Sequence, residues 1–336
     1  MEHNPDVTEE QDVNHYVSRN IFKKKQAFKI IRDETVGRHM VASRNIKAGE
    51  TILKEEPLTY GPNEITKPIC LGTYQPVTVK TPRCKYCGFP LITTSKVHQE
   101  YECQAFQDHG YKVNASTFNF DGEEAAYSVI SPIRTLKLRE KNPELWKLVW
   151  MQMSHLSKRQ ESQFWKKKTE KIIGLMKTMI GLAEEDVPIV EAILGIHLVN
   201  DFEIGLQDRS VEDDQGRDHS IKGLFGLASM PNHDCVANTT HSFGNAEQGF
   251  VMTVKALRDI NKGVDITHSY TEPLETVLAR QTKLSMGKFF IVSQPCISHL
   301  FIQFLPSKSI CQISAIRQND FQGMQTEFKN EQKEPK

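Results

Sequence analysis

What this chain of 336 residues lacks bounds it first. It lacks an excess of either charge: 42 Lys and Arg stand against 42 Asp and Glu, so no global field draws it to nucleic acid or to a membrane surface. The two short basic runs, "FKKK" at Phe22 to Lys25 and "KKK" at Lys166 to Lys168, read as solvated faces. It lacks a long apolar run. The most apolar late stretch, "FFIVSQPCISHLFIQFL" from Phe289 to Leu305, is broken by Gln294, Pro295, His299 and Gln303 and is too short and too polar to span a bilayer. It lacks a basic and then apolar leader, since "MEHNPDVTEEQDVNHYV" is acidic and polar; the protein is expected inside the cell, in nucleus, cytoplasm or both. Cysteine is scarce and odd in number, at seven, which in that setting argues for thiols and metal ligands before disulfides. No internal repeat is legible.

What is there suffices for a core. With 38% hydrophobic and 8% aromatic residues, the chain is expected to fold as one large or two ordinary domains. From Phe28 to Tyr60, short β-prone runs alternate with turn signals at Gly37 and Ala48-Gly49, which predicts about three antiparallel strands. From Asn142 to Phe202 apolar residues recur at three and four spacings, which predicts three helices. "HSFGNAEQGFVMTVKALRDINKGVDITHSY" returns to strands, with turns at Gly244-Asn245 and Asn261-Lys262-Gly263. The tail after Gln312 is polar and charged and is expected to be disordered.

Residues 66 to 106 hold four of the seven cysteines with little periodicity. "RCKYCGF" puts Cys84 and Cys87 at C-x-x-C spacing, and "HQEYEC" adds His98 and Cys103, a four-coordinate set suited to one structural zinc. Cys70 begins a second C-x-x-C, but position 73 is Thr, so a second zinc is not expected.

The stretch "GLASMPNHDCVANTTHSF", residues 226 to 243, crowds Asn232, His233, Asp234, Cys235 and Asn238 into seven positions. On its own it reads as a solvated turn. His233 and Cys235 lack the paired spacing of a zinc site, and a Cys and His nucleophilic pair is adjacent in space, not in sequence.

Taken in order, "VGRHMVASRNIKAGETILKEEPL", the Cys module, a helical insert ending "VNDFEI", "NHDCVAN", "ITHSYT" and "LARQTKLSMGKFF" resemble the SET and MYND domain protein methyltransferases, and most closely their arthropod group, over residues 28 to 290. The fold class implied is α+β: a SET-type fold of short antiparallel strands with an inserted small zinc module and a helical insert. The chain would then divide into an N-terminal extension (1–27), the N-terminal part of the SET domain (28–65), a degenerate MYND-type zinc module (66–106), a helical insert (107–200), the C-terminal part of the SET domain (201–290) and a divergent tail (291–336).

The resemblance implies S-adenosylmethionine and zinc as cofactors, a monomer, and methyl transfer to a lysine of a histone or other protein. Asn232 and His233 match the cofactor-holding pair; Gly37, Arg38 and His39 match the loop at its methionine end. Asn200 matches a further contact, Phe290 an aromatic near adenine, and Tyr270 the tyrosine that orients the target amine. Cys84, Cys87, His98 and Cys103 match the metal site. The departures are specific. His39 replaces a glycine and is expected to strain a backbone that needs positive φ. Asp234 and Ala237 replace Ser and Pro, and Ile92 and Lys96 stand where a second metal site would continue. After Phe290 the expected C-x-C-x-x-C run is missing, so the chain is expected to be truncated or altered there, as a splice form or a gene-model error. A catalytically silent SET-fold scaffold that binds partners is therefore the alternative to a lysine methyltransferase.

Overall fold

The computed structural model describes residues 26–33, 36–64, 66–116, 118–120, 125–205, 219–272, 275–288, 290–292 and 313–315. The N-terminal segment and nearly all of the tail, with the expectations attached to them, lie outside the described residues. The chain divides into two compact units: one of Met1–Val13, Leu53–Ser229 and His241–Val254, the other of Asn14–Ile52, Met230–Thr240 and Lys255–Lys336.

The predicted early meander is not one sheet. Strand β1 (Phe28–Asp33) and β2 (Gly37–Ala42) form the expected hairpin, in register from Phe28 opposite Ala42 to Asp33 opposite Gly37. The following strands, β3 (Thr51–Glu55) and β4 (Thr59–Pro62), take partners from far along the chain. β4 pairs antiparallel with a strand at Ser220–Leu224, which also pairs with one at Asp201–Gly205. Local alternation fixes which face of a strand is apolar, but not which strand lies beside it.

In the first unit, two short helices, α1 (Lys96–Glu100) and α2 (Glu102–Asp108), close the Cys-rich module. The helical region then begins earlier than the periodicity from Asn142 predicts, with α3 (Ile130–Lys141). Its apolar face of Ile130, Ile133, Leu136 and Leu138 is buried, and Arg134 is buried with it; a charged residue inside the apolar stripe hides the period. Next come α4 (Pro143–Trp150), α5 (Leu156–Arg159), α6 (Gln163–Ile180) and α7 (Val187–Asn200). Their ends follow from local chemistry. Asn142 accepts the Leu145 amide ahead of a helix with Pro143 in its first turn, Ser162 accepts that of Trp165, and Gly181 ends α6 at φ 62°. Along α6, Trp165, Ile172, Ile173, Met176 and Met179 are buried, each such side chain stabilising by about 1.5–3 kcal/mol, while Lys166 and Lys167 are exposed as a solvated face should be. Antiparallel strands β5 (Asp201–Gly205) and β6 (Ser220–Leu224) complete the sheet in the order β4-β6-β5.

The second unit holds β7 (Asn232–His233) and, after β8 (Thr239–Phe243) and β9 (Met252–Ala256), the strand β10 (Thr267–His268) and helix α8 (Val277–Lys288). Strands β3, β9 and β8, most of whose residues belong to the first unit, form one sheet in that order. Gly263 makes its expected turn at φ 84°. β11 (Phe290–Val292) pairs antiparallel with β12 (Ile313–Ala315), so the expected disorder after Gln312 does not extend to these three residues. No helix among the described residues is long and apolar enough to cross a membrane.

Candidate active site

The second unit gathers most of the residues singled out in the sequence. β2 carries Gly37, Arg38 and His39, and its other edge meets the chain before β10. The Ile266 amide donates to the Met40 carbonyl at 2.8 Å, and the Ala42 amide to the Val264 carbonyl at 2.9 Å. Gly37 takes φ 74°, a conformation open to glycine. The expected strain at His39 is absent: among the described non-glycine residues only Tyr74, His155 and Phe250 have positive φ. His39 lies within regular strand, where a Cβ is accommodated, and is 4% exposed. Its ring sits 3.8 Å from Asp33 and 3.7 Å from Asp265.

β7 runs parallel to β10, with Asn232 opposite Thr267 and His233 opposite His268. Asn238 fixes this crossing. Its side-chain amide donates to the Asp265 carbonyl at 2.7 Å, its side-chain oxygen accepts the Thr267 amide at 2.9 Å, and its own amide donates to the Thr267 hydroxyl at 3.1 Å. One buried carboxamide thus stands in for a peptide group of a third strand. Next to it the Thr239 hydroxyl donates to the Thr267 carbonyl at 2.6 Å and meets His268 Nδ1 at 2.5 Å. Asn238 and Thr239 were not singled out as site residues; the second Asn of "NHDCVAN" was the available signal.

Both ring nitrogens of His233 are engaged. Nδ1 accepts the Tyr270 backbone amide at 3.0 Å, and Nε2 lies 3.4 Å from the Cys235 sulfur. An Nδ1 that accepts a backbone N–H carries no proton, so the proton is on Nε2. Tyr270 packs on that ring with centroids 5.4 Å apart, and its hydroxyl donates to the Pro231 carbonyl at 2.7 Å. Burial pushes the Tyr270 phenol and the Cys235 thiol up, so neither is poised to ionise. Asn232 is half-buried. Phe290 begins β11.

In the first unit, Asn200 ends α7, and its side-chain amide donates to the carbonyls of Met153 and Ile196, both at 2.8 Å. Only its side-chain oxygen remains for a ligand. This unit also holds the turn that leads to Met230. Glu55 points its buried carboxylate at three successive amides, those of Gly226, Leu227 and Ala228, at 2.8 to 3.1 Å. Gln152 donates to the Phe225 carbonyl at 2.8 Å and accepts the Ser229 hydroxyl at 3.2 Å. Burial pushes the Glu55 carboxyl up to about 7 against the pull of the three amides. Neither residue carried a motif that would have marked it.

The Cys module contains the expected cluster. The ligand atoms of Cys84, Cys87, His98 and Cys103 lie within 4.8 Å of one another, and all four residues are buried. The Cys84 and Cys103 sulfurs are 3.7 Å apart, as are the Cys87 sulfur and His98 Nε2. A tetrahedron with metal–sulfur bonds of about 2.3 Å has edges of about 3.8 Å, so the donor set fits one zinc.

The structure also shows a repeat that the sequence hides. Residues 69–76 and 83–90 form matching loops, each closed by a bridge, Ile69 with Pro76 and Arg83 with Pro90. Each has the same two bonds: Cys70 amide to Gln75 carbonyl and Cys84 amide to Phe89 carbonyl, then Tyr74 amide to Cys70 carbonyl and Gly88 amide to Cys84 carbonyl. Tyr74 and Gly88, at the same place, have φ of 61° and 80°. In the first loop the Cys70 sulfur accepts the amides of Gly72, Thr73 and Ile92 at 3.2 to 3.3 Å. Burial alone would raise this thiol, yet the hydrogen bonds its sulfur accepts from the Thr73 and Gly72 amides outweigh it and hold the thiol below its ordinary value.

The SET domain family profile matches residues 37–271. The SET domain-containing protein SmydA-8, isoform A, of Drosophila melanogaster is 25% identical over 264 residues, covering 76% of this chain and 52% of that protein. Histone-lysine N-methyltransferase ASHR1 of Arabidopsis thaliana is 27% identical over 267 residues, with 76% and 51% covered. The chain thus spans about half the length of these relatives. A similar solved structure is that of the SET domain of LSMT bound to lysine and AdoHcy, 12% identical with a TM-score of 0.46 over 82% of this chain and 56% of that one. With the family profile covering residues 37–271, on which β2, the β7–β10 crossing and Tyr270 all fall, the chain belongs to the SET domain family.

Proposed function

We propose that the protein is an S-adenosylmethionine-dependent protein-lysine methyltransferase. The observation that carries this reading is the β7–β10 crossing, which places the Tyr270 backbone on His233 and the Tyr270 hydroxyl on the Pro231 carbonyl. In this reading the backbone of Gly37, Arg38 and His39 meets the methionine end of the cofactor, and Asn232 and the backbone of His233 hold the adenosine end.

The chemistry asks for alignment more than for acid or base. A lysine arriving neutral donates its nitrogen lone pair to the methyl carbon, the carbon–sulfur bond breaks with its electrons going to sulfur, and the methylated ammonium then loses a proton to solvent. With its proton committed to Pro231, the Tyr270 oxygen presents lone pairs that accept from the amine N–H. That aims the nitrogen lone pair at the methyl group. Four ligands, Cys84, Cys87, His98 and Cys103, hold a structural zinc in a MYND-type module.

Calorimetric titration of S-adenosylmethionine into the purified chain, with Asn232→Ala alongside, tests the reading. Binding that the variant loses, followed by transfer of labelled methyl to lysine in protein substrates, is the expected result. Absence of binding by both folded proteins would overturn it in favour of a silent scaffold.

A further inference from the structure

His98 presents Nε2 to the thiols and Nδ1 to Glu102, whose Oε1 lies at 2.9 Å. His98 and Glu102 are both 0% exposed. The same carboxylate is gripped by Arg134 of α3 through two bonds, Nε to Oε2 at 2.7 Å and Nη2 to Oε1 at 2.5 Å. Arg134 is itself 1% exposed. Its remaining Nη1 donates to the Tyr60 carbonyl of β4 at 2.7 Å and to the Tyr74 hydroxyl. The Tyr60 and Tyr74 rings pack against each other, with centroids 5.5 Å apart, beside the guanidinium. A continuous buried path therefore runs from a thiol cluster on the module, through one carboxylate, to a helix of the insert and a strand of the sheet.

We propose that Glu102 and Arg134 are positioning residues of the metal centre, and that through them zinc loading and the seating of α3 on β4 form one coupled event. This rests on reading Cys84, Cys87, His98 and Cys103 as a zinc site. A carboxylate clamped by a guanidinium can only accept, so Nδ1 of His98 carries the ring proton and Nε2 turns its lone pair to the metal. Arg134 in turn finds its bidentate partner only where His98 has placed α2. The coupling is reciprocal: whatever metal does for the seating of Arg134, that seating does for metal affinity.

The test uses the full chain. Zinc content and zinc affinity, the latter by competition with a chromogenic chelator, are measured for the wild type, Cys87→Ser, Glu102→Gln and the double variant Glu102→Gln/Arg134→Met. The double variant removes both charges and so avoids burying an unpaired one. Hydrogen exchange is then followed in the wild type with and without chelation. Zinc held by the wild type and lost in Cys87→Ser establishes the site on which the proposal stands. Affinity lowered about 10- to 100-fold in Glu102→Gln and in the double variant is expected, with chelation speeding exchange at Thr59–Pro62 and Ile130–Lys141 as well as in the module. Affinity within twofold of wild type in the double variant would overturn the proposal. So would chelation that loosens residues 84–103 and leaves β4 and α3 protected. A wild type that holds no zinc would instead remove the metal reading itself, before any variant is compared.

Discussion

The backbone amide of Tyr270 donates to Nδ1 of His233 at 3.0 Å, so the tyrosine is held by its main chain while its hydroxyl is aimed separately, at Pro231. The two functions can be parted by mutation. Tyr270→Phe keeps the main-chain bond and loses the hydroxyl. Methyl transfer is expected to fall about 100-fold from misalignment, with S-adenosylmethionine affinity nearly unchanged, as read by single-turnover transfer and by calorimetry. Equal turnover would remove the phenol from the mechanism.

Asn238 bridges the Asp265 carbonyl and the Thr267 amide at 5% exposure. Asn238→Ala leaves the part-buried Asp265 carbonyl and Thr267 amide without this partner and is expected to cost about 1–3 kcal/mol. Asn238→Asp, nearly isosteric, turns an acceptor toward the Asp265 carbonyl and is expected to cost at least as much at neutral pH. Urea unfolding midpoints check both. A wild-type midpoint in Asn238→Asp would show that the carboxamide does not join the two segments.

The Glu55 carboxyl, raised by burial to about 7, makes a stability prediction with a definite sign. Between about 4.5, where an unfolded glutamate titrates, and about 7 the folded chain binds more protons than the unfolded one. Stability contributed by this group therefore falls as pH rises through that window, by an amount on the order of 3 kcal/mol. Glu55→Gln removes the dependence. Subtracting its urea stability from that of the wild type, pH by pH, should give a curve that declines from pH 4.5 to 8, and a flat difference would mean that the three amides hold the carboxylate at its ordinary value.

Zinc analysis is expected to return one metal per chain. The 69–76 loop keeps the shape of the 83–90 loop without a second thiol, because the Cys70 sulfur is occupied by three amides. Cys84→Ser should abolish binding. Cys70→Ala should leave the stoichiometry at one while destabilising the chain by about 1–3 kcal/mol per stranded amide at most. Loss of zinc in Cys70→Ala at unchanged fold would place this thiol in the metal shell.

Much of the candidate site was legible because its signals are local. The C-x-x-C pair and the downstream His98 and Cys103 specify a donor set by spacing alone, and the structure brings those four together. Gly37 and Gly263 mark turns through a conformation that other residues resist. Helices α4, α6 and α7 are the three that periodicity predicts, whereas the four-residue α5 has neither an apolar period nor a side-chain cap to announce it. Helix α3 is not among them, because Arg134 interrupts its apolar stripe, and the matching loops at 69–76 and 83–90 share hydrogen bonds more than residues.

The sequence by itself determined the residue types of the chemistry: thiols at metal spacing, the crowded polar stretch at 232–238, a tyrosine after "ITHS". Only the tertiary structure decided that Asn232 lies beside Thr267, that β4 pairs with β6, that Asn238 holds the chain at Asp265 and Thr267, that Arg134 grips Glu102, and that Glu55 and Gln152 hold the turn at 225–229. The physical reason is common to all of them. A buried polar group must find its partner wherever the fold supplies one, and that partner stands up to 173 positions away, as Ala228 does from Glu55, where no spacing rule can reach.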